Sequence, residues 1–376
     1  YYRTQNNYNN FKSGATCGGP CANRKEIVYA GANNGILHAF DASNGEELWG
    51  YIPPNVLGNF EKIASSKANS TNAIYGIDGS PVVKDIYFDD TPNDSTTNPR
   101  WRTILLGGLG AGGKGLYAID ITNPNSPTHL FAISNDESNK VIQHWGSNAF
   151  KNEFGYASSG IDAKYDYRKL GEAWSTPRII RIKVDGKDKW VAVFGGGYNG
   201  AVNPNVGSAV FVMDLEDEGR LLKVIDIEDT AVQSYSWSGQ LSAKGSRIIS
   251  NNNTVFDVTK WSPGISYDSS KGESLIVEFT PPVNHTVTYS NNGNVSTVTK
   301  VTFDTAWPCP PNTQNCTGTA IFKRYSNDIV NSLPADLSVI TADGTNKANY
   351  NGAMIYATDL EGKVTKINLT ENFVID

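Results

Sequence analysis

Apolar and polar residues alternate along four segments that share one grammar. Ile27 to Trp49 runs IVYAGANNGILHAFDASNGEELW, Ile104 to Asp120 runs ILLGGLGAGGKGLYAID, Val191 to Asp214 runs VAVFGGGYNGAVNPNVGSAVFVMD, and Met354 to Asn368 runs MIYATDLEGKVTKIN. Each is a β-branched or aromatic run, a Gly/Asn turn, and an alternating strand closing on Asp or Asn, the pattern of a β-hairpin. Three Pro-led alternating stretches lead into such hairpins: GSPVVKDIYF at 79–88, STPRIIRIKV at 175–184 and LPADLSVI at 333–340. Pro suits a first or edge strand because it has no N–H to give to a ladder. A lead strand, a second strand and a closing hairpin compose the four-stranded blade of a β-propeller.

The closing residues Asp41, Asp120, Asp214 and Asn368 lie 79, 94 and 154 residues apart, against ~40–50 residues for a simple blade. Long insertions are therefore expected, at about 134–172 and 227–332. The first is polar and aromatic without clear period. The second contains SLIVEF, HTVTYS, VSTVTKVTF and AIFKRY as strands, with Asn291 to Asn294 as a hairpin turn. The expectation is one all-β domain over 1–376, a propeller with long insertions, whose partner contacts fall on loops.

Composition narrows the class. Among 376 residues, 39% are hydrophobic and 11% aromatic, which excludes a disordered chain. No apolar run approaches the ~18 residues of a membrane span. A net charge of −6 argues against a sequence-independent nucleic-acid binder. Four cysteines form two local pairs, Cys17 with Cys21 in CGGPC and Cys309 with Cys316 in CPPNTQNC, and no His lies near either. Four Cys allow three connectivities; the local pairs, closed by flexible Gly, Pro and Asn, are favoured. Disulfides would place the chain in an oxidising, exported compartment.

Catalytic signatures are sparse. No GxSxG, HExxH or Walker loop occurs. His38 falls inside an alternating strand, as a core or face residue does. The run Gly107 to Gly113 resembles a phosphate cradle, but a strand follows it instead of a helix, so it reads as a hairpin connection. The aspartates closing the hairpins read as turn caps. Two places suit a cation. TADGTNKAN offers Thr341, Asp343, Thr345, the Lys347 carbonyl and Asn349 at the alternate spacing of a calcium loop, with a single carboxylate. FDDTPNDST offers Asp89, Asp90, Asn93 and Asp94.

The string at 28–56, GSPVVKDIYF and RTILLGGLGAGGKGLYAIDITNP at 102–124, with AWSTPRI, VFGGGYNG and IYATDLEGKVTKINLT following in order, resembles the C-terminal domain of the PilC/PilY family of type IV pilus-associated proteins. The resemblance implies a modified β-propeller with quinoprotein-like blades and long loop and hairpin insertions, C-terminal to an adhesive region absent from this chain. It also implies roles in pilus biogenesis, in opposing retraction and in attachment to host cells. The implied partners are pilins or the pilus machinery and a host-cell surface receptor, at the outer membrane, cell surface or pilus. The family's Asp-rich calcium loop corresponds to 341–349, where Thr341, Thr345 and Asn349 replace carboxylates and Asp343 is kept. Calcium is the only cofactor implied, and no organic cofactor or catalytic residue is. No Arg-Gly-Asp tripeptide occurs. Two alternatives remain. One is a pyrroloquinoline-quinone dehydrogenase-like propeller, whose repeat flavour 31–49 follows but whose adjacent Cys pair is missing. The other is a pilus assembly scaffold without receptor binding.

Overall fold

The strands follow from the alternation, and the order in which they pair decides which side chains face which. The computed structural model describes residues 8–13, 24–63, 65, 74–88, 100–156, 160–199, 206–228, 231–239, 247–250, 253–257, 265–271, 273–280, 282, 284–303, 316–326, 331–341 and 353–370. These belong to two compact units, Tyr1–Ile227 with Asn331–Asp376, and Glu228–Val330.

Among the described residues the larger unit holds four antiparallel sheets. The first is β1 (Ile27–Gly31), β2 (Leu37–Asp41) and β3 (Glu47–Tyr51). The second runs in order from β4 (Val82–Phe88) through β5 (Arg100–Gly108), β6 (Gly115–Asp120), β7 (Thr128–Asp136) and β8 (Val141–Trp145) to β9 (Lys151–Gly155). The third is β10 (Arg178–Val184), β11 (Lys187–Gly195), β12 (Ala209–Asp214) and β13 (Leu221–Asp226), and a fourth pairs β22 (Ser338–Thr341), β23 (Ala353–Thr358) and β24 (Val364–Asn368). The segment 134–172, expected as an insertion without period, thus extends the second sheet through β8 and β9. Helices are short: α1 (Tyr8–Lys12), α2 (Leu57–Ile63) and α3 (Gly160–Ala163).

Successive sheets stack face to face in chain order, as propeller blades do. Leu37 of the first sheet packs with Leu105, Tyr117 and Ile119 of the second. The opposite face of the second sheet, through Ile104, Leu106 and Leu116, meets Ala192, Phe194 and Phe211 of the third. Val191, Val193 and Val210, on the third sheet's other face, meet Ala353, Ile355 and Ile367 of the fourth. A strand covered on both faces has no solvent-facing position, so every residue of β12 is buried, Asp214 included. Strands of the two end sheets alternate instead, with Leu37, Ala39 and Asp41 buried on β2 and Ala353, Ile355 and Ala357 on β23.

A second recurrence locks neighbouring sheets together. The stretch leading into each later sheet crosses a glycine of the sheet before it: Ile77 over Gly31, Ala173 over Gly108 and Leu333 over Gly195. A Cβ at Gly195 would lie 2.5 Å from the Leu333 carbonyl oxygen, so only glycine allows this approach. Backbone hydrogen bonds close each seam: Ile77 N–H donates to Ala32 O (3.0 Å), Gly110 N–H to Ala173 O (3.2 Å) and Gly197 N–H to Leu333 O (3.1 Å). In the fourth sheet, aligning YAGANNG with YATDLEG puts Thr358 at this place, and Thr358 is exposed.

The hairpin-closing residues are turn caps, as expected. Backbone N–H groups donate to the side-chain oxygen two residues back: Ser43 to Asp41 (3.0 Å), Thr122 to Asp120 (2.8 Å), Glu216 to Asp214 (2.9 Å) and Thr370 to Asn368 (2.9 Å). Three of them also take a cation from two residues before their register partner. Lys25 Nζ donates to Asp41 (2.7 Å), Arg102 to Asp120 (2.8 Å) and Lys189 Nζ to Asp214 (2.6 Å). The register partner of Asn368 is Met354, and two residues before it stands Gly352. Where the cation is missing the acid is missing too, which keeps an unpaired carboxylate out of the sheet.

The smaller unit pairs β14 (Ala231–Gly239) and β18 (Glu273–Thr280) on either side of β21 (Cys316–Ser326). A second sheet joins β15 (Arg247–Ser250), β16 (Asn253–Asp257), β17 (Ser266–Asp268), β19 (His285–Asn292) and β20 (Val295–Phe303). Val277, Phe279, Val298, Val301 and Phe322 form its core. The expected turn at Asn291 to Asn294 joins β19 to β20, with Gly293 at φ 62°.

Candidate functional site

Most residues singled out for chemistry lie outside the described ones. Thr341 ends β22 opposite Ala353, so 342–352 connects that hairpin. Asp343, Thr345, Lys347 and Asn349 fall within this connection, outside the described residues, as do Asp89, Asp90, Asn93 and Asp94 just after β4. Cys17, Cys21 and Cys309 are outside as well, and of Cys316 only the backbone is described, opposite Gly239 at the start of β21. Among the described residues no group of three or more His, Cys, Asp or Glu is placed to hold a metal ion. Among them also no helix is long and apolar enough to cross a membrane.

The glycine run does connect β5 to β6 as a hairpin, and it forms one wall of a polar cleft of about 520 Å3. Lys114 follows the last of those glycines and ion-pairs with Glu137 in the β7–β8 connection. Asp136 beside it accepts hydrogen bonds from Asn139 N–H (3.1 Å), Asn139 Nδ2 (2.8 Å) and Gln143 Nε2 (3.3 Å). Asn59 of α2 lines the other side. The walls are fixed by buried amides. Asn55 Nδ2 donates to Leu116 O and Ile133 O (both 3.1 Å), and Asn135 Nδ2 to Leu170 O (2.8 Å). The Tyr156 hydroxyl donates to Asn135 Oδ1, and burial pushes its pKa up, so it stays a donor. Sequence reading missed this cleft, because its walls come from 55–59, 112–114 and 134–143. The one sequence signal was the polar string SNDES between two strands.

At the opposite end of the second sheet, a cleft of about 370 Å3 is lined by Arg100, Arg102, His129, Glu216 and Glu218. His144 Nε2–H donates to Glu218 O (2.8 Å), and Ser147 N–H to Glu218 Oε1 (2.8 Å). Burial lowers the pKa of both His129 and His144, which keeps them neutral. His38 is the face residue expected: Nδ1 lies 2.6 Å from Glu47 Oε1.

Comparison with known proteins places the chain. The family model described as "PilY1 beta-propeller domain" matches residues 4–246. "Type IV pilus biogenesis factor PilY1" of Pseudomonas aeruginosa is 31% identical over 193 residues, which are 51% of this chain and 13% of that protein. A homologue from Xylella fastidiosa is 39% identical over 105 residues, 28% of this chain and 8% of that one. The chain thus spans a small fraction of the length of these curated relatives. Among solved structures, the Pseudomonas aeruginosa PilY1 C-terminal domain aligns at TM-score 0.39 and 18% identity, covering 97% of this chain and 60% of that chain. The quinohemoprotein alcohol dehydrogenase of Comamonas testosteroni aligns at TM-score 0.24 and 11% identity, over 92% of this chain and 52% of that chain. With most of its larger unit inside the matched span, the chain belongs to the PilY1 β-propeller family.

Proposed function

We propose that this chain is the propeller of a type IV pilus biogenesis factor, acting by binding and not by catalysis. In this reading it engages pilins or the pilus machinery at the cell surface, opposes retraction, and contributes to attachment to a host receptor. One observation carries the binding reading. The recurrent acids Asp41, Asp120 and Asp214 are all committed to turn caps and ion pairs, so the sheets act as scaffold and recognition falls to their connections. The relatives' printed function supports the pilus role.

Calcium enters this proposal through the β22–β23 connection, with Thr341, Asp343, Thr345, Asn349 and the Lys347 carbonyl as ligands. Disulfides Cys17–Cys21 and Cys309–Cys316 would stiffen other connections in an oxidising compartment. The test uses the full-length protein in a piliated bacterium, with 342–350 replaced by a Gly-Ser linker. Fewer surface pili, restored when retraction is disabled, is the expected result; unchanged piliation and attachment would refute it. Lost attachment with normal piliation would assign the region to adhesion, and lost piliation with normal attachment per pilus to scaffolding. Calorimetry with calcium should give heat that Asp343→Ala abolishes; equal heat in the variant removes the site.

A further inference from the structure

We propose that the polar cleft between the β5–β6 and β7–β8 connections is a binding site for a neutral saccharide. Its volume of about 520 Å3 lies in the range of ligand sites, and its lining decides the ligand class. Asn59, Lys114, Asp136, Glu137, Ser138 and Gln143 offer amide, hydroxyl, ammonium and carboxylate groups. Such a set suits a polyol, whose hydroxyls both donate and accept. The charges are balanced locally. Lys114 is paired with Glu137, and Asp136 already accepts three hydrogen bonds. An anion would meet the carboxylates, and a divalent cation would have to displace Lys114, so a neutral ligand fits both facts.

Two exposed aromatic residues whose chain neighbours bond to the cleft offer the second half of saccharide recognition, a surface for the C–H face of a sugar ring. Trp174 and Tyr198 are each 38% exposed, high for such large side chains. Both are tied to the cleft. Ala173 N–H, next to Trp174, donates to the carbonyl of the cleft residue Gly113 (3.2 Å), and Asn199 Nδ2, next to Tyr198, donates to Glu137 Oε2 (3.4 Å). Glu172 holds the pair together. It accepts the Trp174 indole N–H (3.0 Å), and its backbone N–H donates to Tyr198 O (2.7 Å) while its carbonyl accepts from Tyr198 N–H (3.1 Å). The Trp174 indole and the Tyr198 backbone are thus anchored before any ligand arrives, which lowers the ordering cost of binding. The inference does not depend on the pilus role, since it is read on the isolated chain.

Saturation-transfer NMR on the 376-residue chain tests it. The probes are glucose, galactose, mannose, N-acetylglucosamine and their common disaccharides. At least one should receive saturation, with affinity falling about tenfold in Trp174→Ala and in Asn59→Ala. Phe150→Ala, a side chain 72% exposed at the far end of the second sheet, should bind as the parent does. If Trp174→Ala misfolds by circular dichroism, Trp174→Phe, which keeps a stacking ring, should bind within a few-fold of the parent. No transfer to any sugar overturns the proposal. So does transfer that Asn59→Ala and Trp174→Ala leave unchanged, or, where Trp174→Ala misfolds, transfer that Asn59→Ala leaves unchanged, or competition of the sugar by inorganic phosphate or calcium at this cleft.

Discussion

The middle and end sheets of the larger unit use the same hairpin under different boundary conditions. In the second and third sheets both faces meet a neighbour, so Leu105 and Leu106, or Val193 and Phe194, are successive residues buried on opposite sides. Among the described residues of the first and fourth sheets, one face is covered and the other carries exposed side chains. Val28 is 53% exposed, and Ile340 and Val364 are each 60% exposed. The difference shows that the alternation in the sequence measures how many neighbours a blade has.

Deleting a side chain between two sheets should cost most. Phe194→Ala should destabilise by about 3–5 kcal/mol in urea unfolding, because Phe194 is 1% exposed and stacks on Phe211 at 5.3 Å. Val364→Thr, on the open face of β24, should stay within about 0.5 kcal/mol. Equal effects would refute the distinction between sheets. Next comes the buried pair of the third sheet. Asp214 is fully buried, burial pushes its pKa up, and Lys189 holds the charge in place. Lys189→Met should cost about 3 kcal/mol, whereas Asn368→Ala in the fourth sheet, which loses only a neutral cap, should cost about 1 kcal/mol.

The seams come third. Gly195→Ala drives a Cβ against backbone and should cost about 1–3 kcal/mol, while Thr358→Ala, at the matching place in the fourth sheet, should be near neutral. The smallest effect is on pH dependence. His144 titrates below its ordinary value when folded, so acidification through about 6.5 protonates the unfolded chain first and stability falls. Melting temperature should therefore drop from pH 7 to pH 5, and His144→Gln should shrink that drop. An unchanged slope would clear His144 of any part in it.

The four hairpins and three lead strands were legible because period-two alternation ends at Gly/Asn turns and closing acids. Strands β8 and β13 were not. Val141–Trp145 turns a polar His144 inward, and LLKVID mixes a polar Lys223 into a short run, so neither shows a clean period. The seams escaped for another reason. Gly31, Gly108 and Gly195 stand at visible places, but what covers them is set by a lead-in of 46, 65 or 138 residues later. The cleft was hidden likewise, since Lys114 and Glu137 meet only once β6 and β7 pair.

The seams also give the molecule a direction. Each of the first three sheets is sealed by residues that come later in the chain, Gly31 by Ile77, Gly108 by Ala173 and Gly195 by Leu333. During N-terminus-first synthesis or export, a blade can form its hairpin at once but waits for the next lead-in to become watertight. Pulling from the C-terminal end would undo the same seams in reverse, beginning with the one at Leu333.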